Sequence, residues 1–362
     1  TSAQSCDVLI LGAGPAGMAA AMELSRAGRT SVLIEKADQV GGLAKTIILN
    51  DKEGVYRTDI GPHRFFSKNK YLYDFIGDLL GDDWIQVPRK TRFFVAGKYY
   101  DYPIRLGGAL KQMGIFQAIH MLFDYLLERV RALVSPRPIR NFEDYAVRQF
   151  GWSLARFNML QYTEKIWGLP CREISVDWAN QRIGGLSIFA LLKGLFSKKS
   201  GPKTLVDTFY YPRFGSGTIY EAIAKRLQSS GSTILTKSEP VEITCDSNRI
   251  TSVKVQTENG DVVYEPKAVI CSIPVTRAIS LFHPSAPANV KAAAESLRFR
   301  AQVYLFVTVA RDRVTPDNWI YFPDKNIPFG RISEMKNFST EMAPPEHSSL
   351  FIEFFCFEND DI

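Results

Sequence analysis

The chain has 362 residues, too many for one small core, and its 46% hydrophobic and 23% charged residues are those of a folded protein rather than a disordered one. A net charge of +6, from 44 basic and 38 acidic residues without one long basic run, argues against nucleic acid as a partner. Five scattered cysteines (Cys6, Cys171, Cys245, Cys271, Cys356) lack any Cys-x-x-Cys pair, which points to reduced thiols and a cytoplasmic compartment. The four histidines (His63, His120, His283, His347) are isolated, so no metal site is expected. No signal peptide is read ahead of the first strand, and no apolar run reaches membrane-spanning length.

The first element is DVLIL (7–11), an unbroken apolar run suited to a strand buried on both faces. Gly12-Ala-Gly14-Pro15-Ala16-Gly17 follows at the dinucleotide-fingerprint spacing. Gly12 suits the tight turn, Gly14 a close approach of pyrophosphate, and Gly17 close packing of helix on strand. An Ala-rich helix follows, Met18 to Ala27, whose N-terminal N–H groups would meet the phosphates, with Pro15 and Ala16 ahead of it among the expected cofactor contacts. The helix stops at Gly28, and a second buried strand, SVLIE, ends at Glu35, where an acid grips a ribose hydroxyl, with Lys36 beside it. An α/β fold with a doubly wound, Rossmann-like nucleotide domain is therefore expected.

The following elements are a short amphipathic helix at 71–80 and strands at 91–96 and 98–102 joined by a Gly-Lys turn. A long helical region spans 105–134, broken near Gly107–Gly108 and Gly114 and ended by Pro136 and Pro138. A further apolar helix covers 186–196 and runs into the basic stretch SKKSGPK. Next come a helix near 218–229, the strand TILTK, and the strands EPVEIT, RITSVKVQT and DVVYE. Asn259-Gly260 marks the hairpin turn. AVICSIP (268–274) is read as a further buried strand, and strands at 303–309 and 349–357 close the sequence. This pattern implies a discontinuous cofactor domain, 1–66 plus 205–285, and a mixed α+β substrate domain, 67–204 plus 286–362.

The run E-K-A-D-Q-V-G-G-L-A-K-T (35–46) resembles the extended signature of FAD-dependent amine oxidases and protoporphyrinogen oxidases. That resemblance implies FAD as cofactor, with the backbone of Gly41, Gly42, Leu43 and Ala44 running beside it. DIGPHRFF (59–66) is similar to a Gly-Pro-His-x-Phe stretch of the flavin-dependent UDP-galactopyranose mutases of the same superfamily. So are the hairpin 97–103, YTEKIWG (162–168), PRFGSGTIYE (212–221) and RISEMKNF (331–338), in the same order. The resemblance places Gly61, Pro62 and His63 near the isoalloxazine, with His63 either polarising it or serving as a structural histidine. It also places the Val241 backbone near adenine and Ser272 at a strand end approaching the cofactor.

The mutases clamp a substrate diphosphate with paired arginines. Arg331 matches one and is a candidate catalytic residue with His63. The other position holds Leu160 and Gln161, with Arg156, Arg172 and Arg182 as substitutes or plain surface charges. Family members continue past a strand like SLFIEFFCF into a Gly-Asp segment and helix. Its lack before Ile362 implies a cofactor domain without its C-terminal part, incomplete retention of FAD and weakened catalysis.

The leading expectation is an FAD-dependent oxidoreductase that takes a hydride from a sizeable organic substrate onto flavin N5, with His63, Tyr102, Trp167 and Tyr210 lining the site. The alternatives are a non-redox nucleotide-sugar mutase using reduced FAD, and a flavin-binding or scaffold protein without catalysis. The partner is thus a small molecule, lipid-like or a nucleotide sugar. No oligomeric state is read from the sequence. The helices at 115–134 and 186–196, with Lys193, Lys198, Lys199 and Lys203 nearby, suit either peripheral contact with the inner face of a membrane or a cap on the substrate domain.

Overall fold

The computed structural model describes residues 3–102, 113–135, 137–183, 207–358 and 360, the side chains of 158 and 180–183 excepted. The chain forms two compact units. The first comprises Thr1–Gln86, Tyr210–Arg298 and Ser339–Pro344; the second comprises Val87–Phe209, Phe299–Phe338 and Pro345–Ile362.

The first unit is built on a seven-stranded sheet in the order Phe282–His283, Glu239–Asp246, Arg249–Thr257, Gly260–Cys271, Gln4–Leu11, Ser31–Ile34, Thr233–Leu235. Gln4–Leu11 is parallel to both of its neighbours, with Val8 opposite Ala268 on one side and Ser31 on the other. Leu9, Ile10 and Leu11 are wholly buried, because side chains alternate between two covered faces. Val8 and Ile10 pack with Met18, Ala21 and Met22 of the helix Pro15–Arg26 and with Ile223 and Leu227 of the helix Gly217–Ser229. Leu9 and Leu11 face Val253, Val255, Tyr264 and Leu281.

Three details depart from the sequence reading. The helix Lys70–Leu80 belongs to this unit, because Phe75 and Leu79 pack on the Met18–Ile223 core, so the unit extends past residue 66. DVVYE and AVICSIP are not two strands but one, Gly260–Cys271. Arg249–Thr257 pairs with it only as far as Tyr264, and beyond that Val269 and Ile270 are half-buried and Cys271 exposed. In the hairpin before it, Glu258 and Asn259 form the two-residue loop between paired Thr257 and Gly260; the positive φ (111°) falls on Gly260, inside the strand.

The second unit carries a six-stranded sheet, ordered Ala301–Val309, Ser348–Cys356, Arg331–Glu334, Trp319–Tyr321, Thr91–Val95, Lys98–Asp101. The hairpin joining the last two turns on Ala96-Gly97, both at positive φ, rather than on Gly97-Lys98. Its helical layer packs Phe142, Ala146 and Phe150 of the helix Phe142–Phe150 against Ala155, Leu160, Cys171 and Ala179. The helix expected at 186–196 with its lysines, Gly107–Gly108 and Pro136 lie outside the described residues.

Candidate cofactor and substrate sites

In the first unit two glycine turns meet. Gly12 has φ 98°, and a Cβ on Gly17 would stand 2.0 Å from the Gly12 carbonyl oxygen, so helix and strand tolerate nothing larger there. Gly14 differs: a Cβ on it would meet only the Gly42 Cα, at 3.9 Å. Protein packing alone therefore does not require a glycine at this position. The Gly41 N–H donates to the Ala13 carbonyl at 2.8 Å, which ties the 41–44 turn to the fingerprint, and the Ala44 N–H closes it on Gly41 at 2.9 Å. No side chain caps the helix that starts at Pro15, and Pro15 and Ala16 are exposed. The cradle therefore offers uncapped N–H groups at the positive end of a twelve-residue helix.

Ser272 closes the base of this cradle. Its N–H donates to the Leu11 carbonyl at 2.9 Å, and its hydroxyl lies 2.9 Å from the Leu11 oxygen and 3.1 Å from the Gly12 oxygen. On the other side Glu35 accepts from the Ala13 N–H at 2.8 Å and the Ala37 N–H at 2.9 Å. Its carbonyl takes the Ser238 N–H, which draws the strand containing Val241 alongside. Val241 falls in a break of register between Pro240 and Glu242, so its backbone is free of the ladder pairing. Lys36 is exposed and ion-paired to Glu239 at 3.1 Å.

The Gly-Pro-His stretch rests on an acid that sequence reasoning passed over. Asp59 is fully buried and accepts from the hydroxyls of Thr46, Tyr211 and Ser216, each at 2.7 Å, and from the Ser216 N–H at 3.0 Å. Burial pushes its carboxyl up, against these hydrogen bonds. Gly61 turns with φ 83°; Pro62 follows, and the His63 Nε2 lies 3.1 Å from the Leu43 carbonyl and 2.9 Å from that of Ile60. His63 is thus exposed and joined to the 41–44 turn, whose Leu43 is itself 76% exposed. Tyr210, half-buried, sits among Phe65, Tyr73 and Trp84, stacked on the Trp84 ring at 5.3 Å.

In the second unit Arg331 meets Glu353 in a two-point ion pair, Nη2 to Oε1 at 2.8 Å and Nε to Oε2. Glu353 is wholly buried. The paired carboxylate overcomes the effect of burial and raises the guanidinium further. Arg331 was expected to hold a substrate phosphate, but its charge is already compensated within its own unit. Around it, Tyr162 packs against Tyr321 at 5.0 Å, and Tyr321 against Tyr102 at 5.5 Å. Burial pushes the Tyr162 phenol well up, partly offset by Arg331. Trp167 lies instead at 5.1 Å from Trp178, beside the Phe142 core. Leu160 is buried, while Arg156 and Arg172 are exposed; the Arg182 side chain lies outside those described.

The two mutase-like segments of this unit act as clasps. The Lys165 ammonium sits 2.6–2.8 Å from the carbonyls of Phe322, Asp324, Ile327 and Phe329. Burial lowers it to about 8, with Asp324 opposing. Glu334 accepts from the N–H groups of Val314 and Thr315 and from the Ser348 hydroxyl, and Lys336 pairs with Asp312 at 2.7 Å. The signal for Glu353 was present in the sequence: an acid inside the apolar strand SLFIEFFCF needs a buried partner.

This geometry accords with the comparisons. The model of the flavin containing amine oxidoreductases matches residues 15–339. An L-amino-acid oxidase of Bothrops moojeni is 22% identical over 354 residues, covering 89% of this chain and 66% of its own length. The chain thus spans just under two thirds of that relative. A crystal structure of reduced UDP-galactopyranose mutase superposes with TM-score 0.79 at 24% identity, over 97% of this chain and 74% of the other. Putrescine oxidase bound to putrescine gives 0.63 at 15%, over 99% and 77%. The chain belongs to the flavin-containing amine oxidoreductase family. Its cofactor is FAD, and the open space at Gly14 beside an uncapped helix terminus fits a dinucleotide pyrophosphate. Among the described residues no helix is long and apolar enough to cross a membrane.

Proposed function

We propose that the chain is an FAD-dependent oxidoreductase that removes a hydride from a sizeable organic substrate. The observation that carries this reading is the Arg331–Glu353 pair. A diphosphate clamp needs uncompensated guanidinium charge. Here the matching arginine is neutralised by a buried carboxylate, and the second clamp position holds buried Leu160 and half-buried Gln161. The aromatic wall of Tyr102, Tyr162 and Tyr321 suits a carbon-rich substrate.

In this reading Gly12, Gly14, Pro15, Ala16 and Gly17 receive the pyrophosphate, with Gly41, Gly42, Leu43 and Ala44 alongside it. Glu35, with Lys36 beside it, accepts from a ribose hydroxyl, releasing the Ala13 N–H to the phosphate side. The Val241 backbone meets adenine, and Ser272 holds the turn in shape. Gly61, Pro62 and His63 approach the ring system, where His63 orients rather than transfers. FAD, when bound, supplies the hydride acceptor.

Anaerobic addition of an amine and amino-acid panel to the flavin-loaded protein tests this: bleaching of the flavin near its visible maximum is expected with at least one compound, followed by recovery with oxygen. A nucleotide-sugar mutase is the second reading, favoured by the likeness to UDP-galactopyranose mutase along the whole chain. Turnover of a UDP-sugar by dithionite-reduced protein, without net oxidation, would establish it and displace the first.

A further inference from the structure

The helix Ile115–Val134 packs the wrong way round for a helix serving only its own domain. Its inward side presents Ala118, Met121, Asp124, Tyr125, Glu128 and Ala132, and of these only Met121 is buried. Its outward side is an unbroken apolar stripe at helical spacing, through Phe116, Ile119, Phe123, Leu126, Val130 and Leu133. Phe116 is 87% and Leu133 84% exposed. An amphipathic helix normally buries that side against the core, and a contiguous exposed stripe of this kind marks a docking surface.

The orientation is fixed by polar contacts on the inner side. Asp124 accepts from the Ser153 N–H at 2.6 Å. A Cβ on Gly151 would stand 2.8 Å from the Tyr125 Cα, so the backbones are in close contact there. Rolling the stripe inward would break both.

Charge identifies the occupant. The acids of the helix, Asp124 and Glu128, lie on the inner side, and the cations flank the stripe: Arg129 on one margin, and Arg131 with His120 on the other. Arg137 and Arg140 follow, both exposed. Arg131 reaches back to Glu128 at 3.7 Å, and an apolar stripe bordered by Arg129, Arg131 and His120 matches the boundary between headgroups and acyl chains of an anionic bilayer. We infer that this helix lies in the plane of an anionic lipid surface and seats the protein on it. The inference is independent of the reaction proposed above.

Flotation of the full flavin-loaded chain with phosphatidylcholine vesicles, with and without a third of phosphatidylglycerol, tests it. The protein is expected to rise with the phosphatidylglycerol vesicles at low salt and less so as salt increases. Phe116→Glu, Phe123→Glu or Leu133→Glu should each weaken partition about tenfold or more. Arg129→Gln with Arg131→Gln should weaken it less and flatten the salt dependence. All these positions are solvent-facing, so far-ultraviolet dichroism and flavin absorbance should match the parent. Equal flotation on phosphatidylcholine alone, no flotation at all, or unaltered flotation of the glutamate variants would overturn the proposal. So would a dimer that the same variants convert to monomer, because a second copy would then cover the stripe.

Discussion

The two units solve the placement of functional groups by opposite means. In the first, the cradle is made of backbone: glycine turns, a helix terminus and carbonyls, with Glu35 and Ser272 as its side-chain contributions. In the second, charged side chains are spent on one another and on loop carbonyls, as at Arg331–Glu353, Lys165 and Glu334. A backbone cradle tolerates change of side chain almost everywhere except at glycine. A set of buried ionic clasps tolerates almost no single deletion, because each leaves a charge stranded. Five variants break or sharpen that contrast.

The largest effect is expected at Gly17. Valine there would drive its Cβ into the Gly12 carbonyl, which stands 2.0 Å from the position, and backbone cannot yield as a side-chain tip can. Gly17→Val should give protein without flavin and with its cooperative unfolding transition lost, read by absorbance and thermal dichroism.

Next is Glu353. Replacing it with alanine leaves Arg331 charged without its buried carboxylate, and breaking such a pair costs about 3–5 kcal/mol. Glu353→Ala should therefore unfold at much lower urea, whereas Glu353→Leu combined with Arg331→Met should recover most of the loss. Recovery is the informative part: it would show that the arginine is present for pairing. If the double variant folds well but no longer bleaches with any substrate that the parent oxidises, Arg331 also touches substrate.

The contrast also explains what could be read in advance. The fingerprint, the Gly41-Gly42 turn and the Glu35 strand end were legible because each is a local pattern, with strand, turn and helix in immediate succession. The clasps were not, because Lys165 meets carbonyls 157–164 residues away and Glu353 pairs 22 residues back across two strands. The hairpin turns were placed one residue off, since Ala96 and Gly260 take the unusual dihedrals and the dipeptide alone does not say which residue of the turn will. Trp167 and Tyr210 look alike in sequence to Tyr102, yet Trp167 packs on Trp178 and Tyr210 among Phe65, Tyr73 and Trp84, each in an aromatic cluster of its own unit.

Lys165 gives a smaller effect with a pH signature. Lys165→Met removes a donor shared among four carbonyls, for a loss of about 1–3 kcal/mol. In the folded chain the amine is lowered to about 8, while the unfolded chain titrates near 10.4. Between those values the unfolded state carries a proton that the folded state has released, so this group's contribution to stability rises with pH across the window. Urea midpoints at about pH 7.5 and about pH 9.5 should show the wild type gaining on Lys165→Met. A difference that shrinks over that interval would mean the carbonyls keep the ammonium charged.

The smallest effect on the fold, and the sharpest on the cradle, is expected at Gly14. An alanine Cβ there meets nothing nearer than the Gly42 Cα at 3.9 Å, so the apoprotein should lose no stability and can even gain from a stiffer unfolded chain. If a pyrophosphate approaches that backbone, the same methyl group must push it outward, and FAD affinity should fall about tenfold, or 1.4 kcal/mol. Gly17→Val and Gly14→Ala thus separate two reasons for a glycine that the spacing alone presents as one motif. Equal FAD affinity in Gly14→Ala and wild type, measured by flavin fluorescence quenching on deflavinated protein, would remove Gly14 from the cofactor site. The space beside it would then need another explanation.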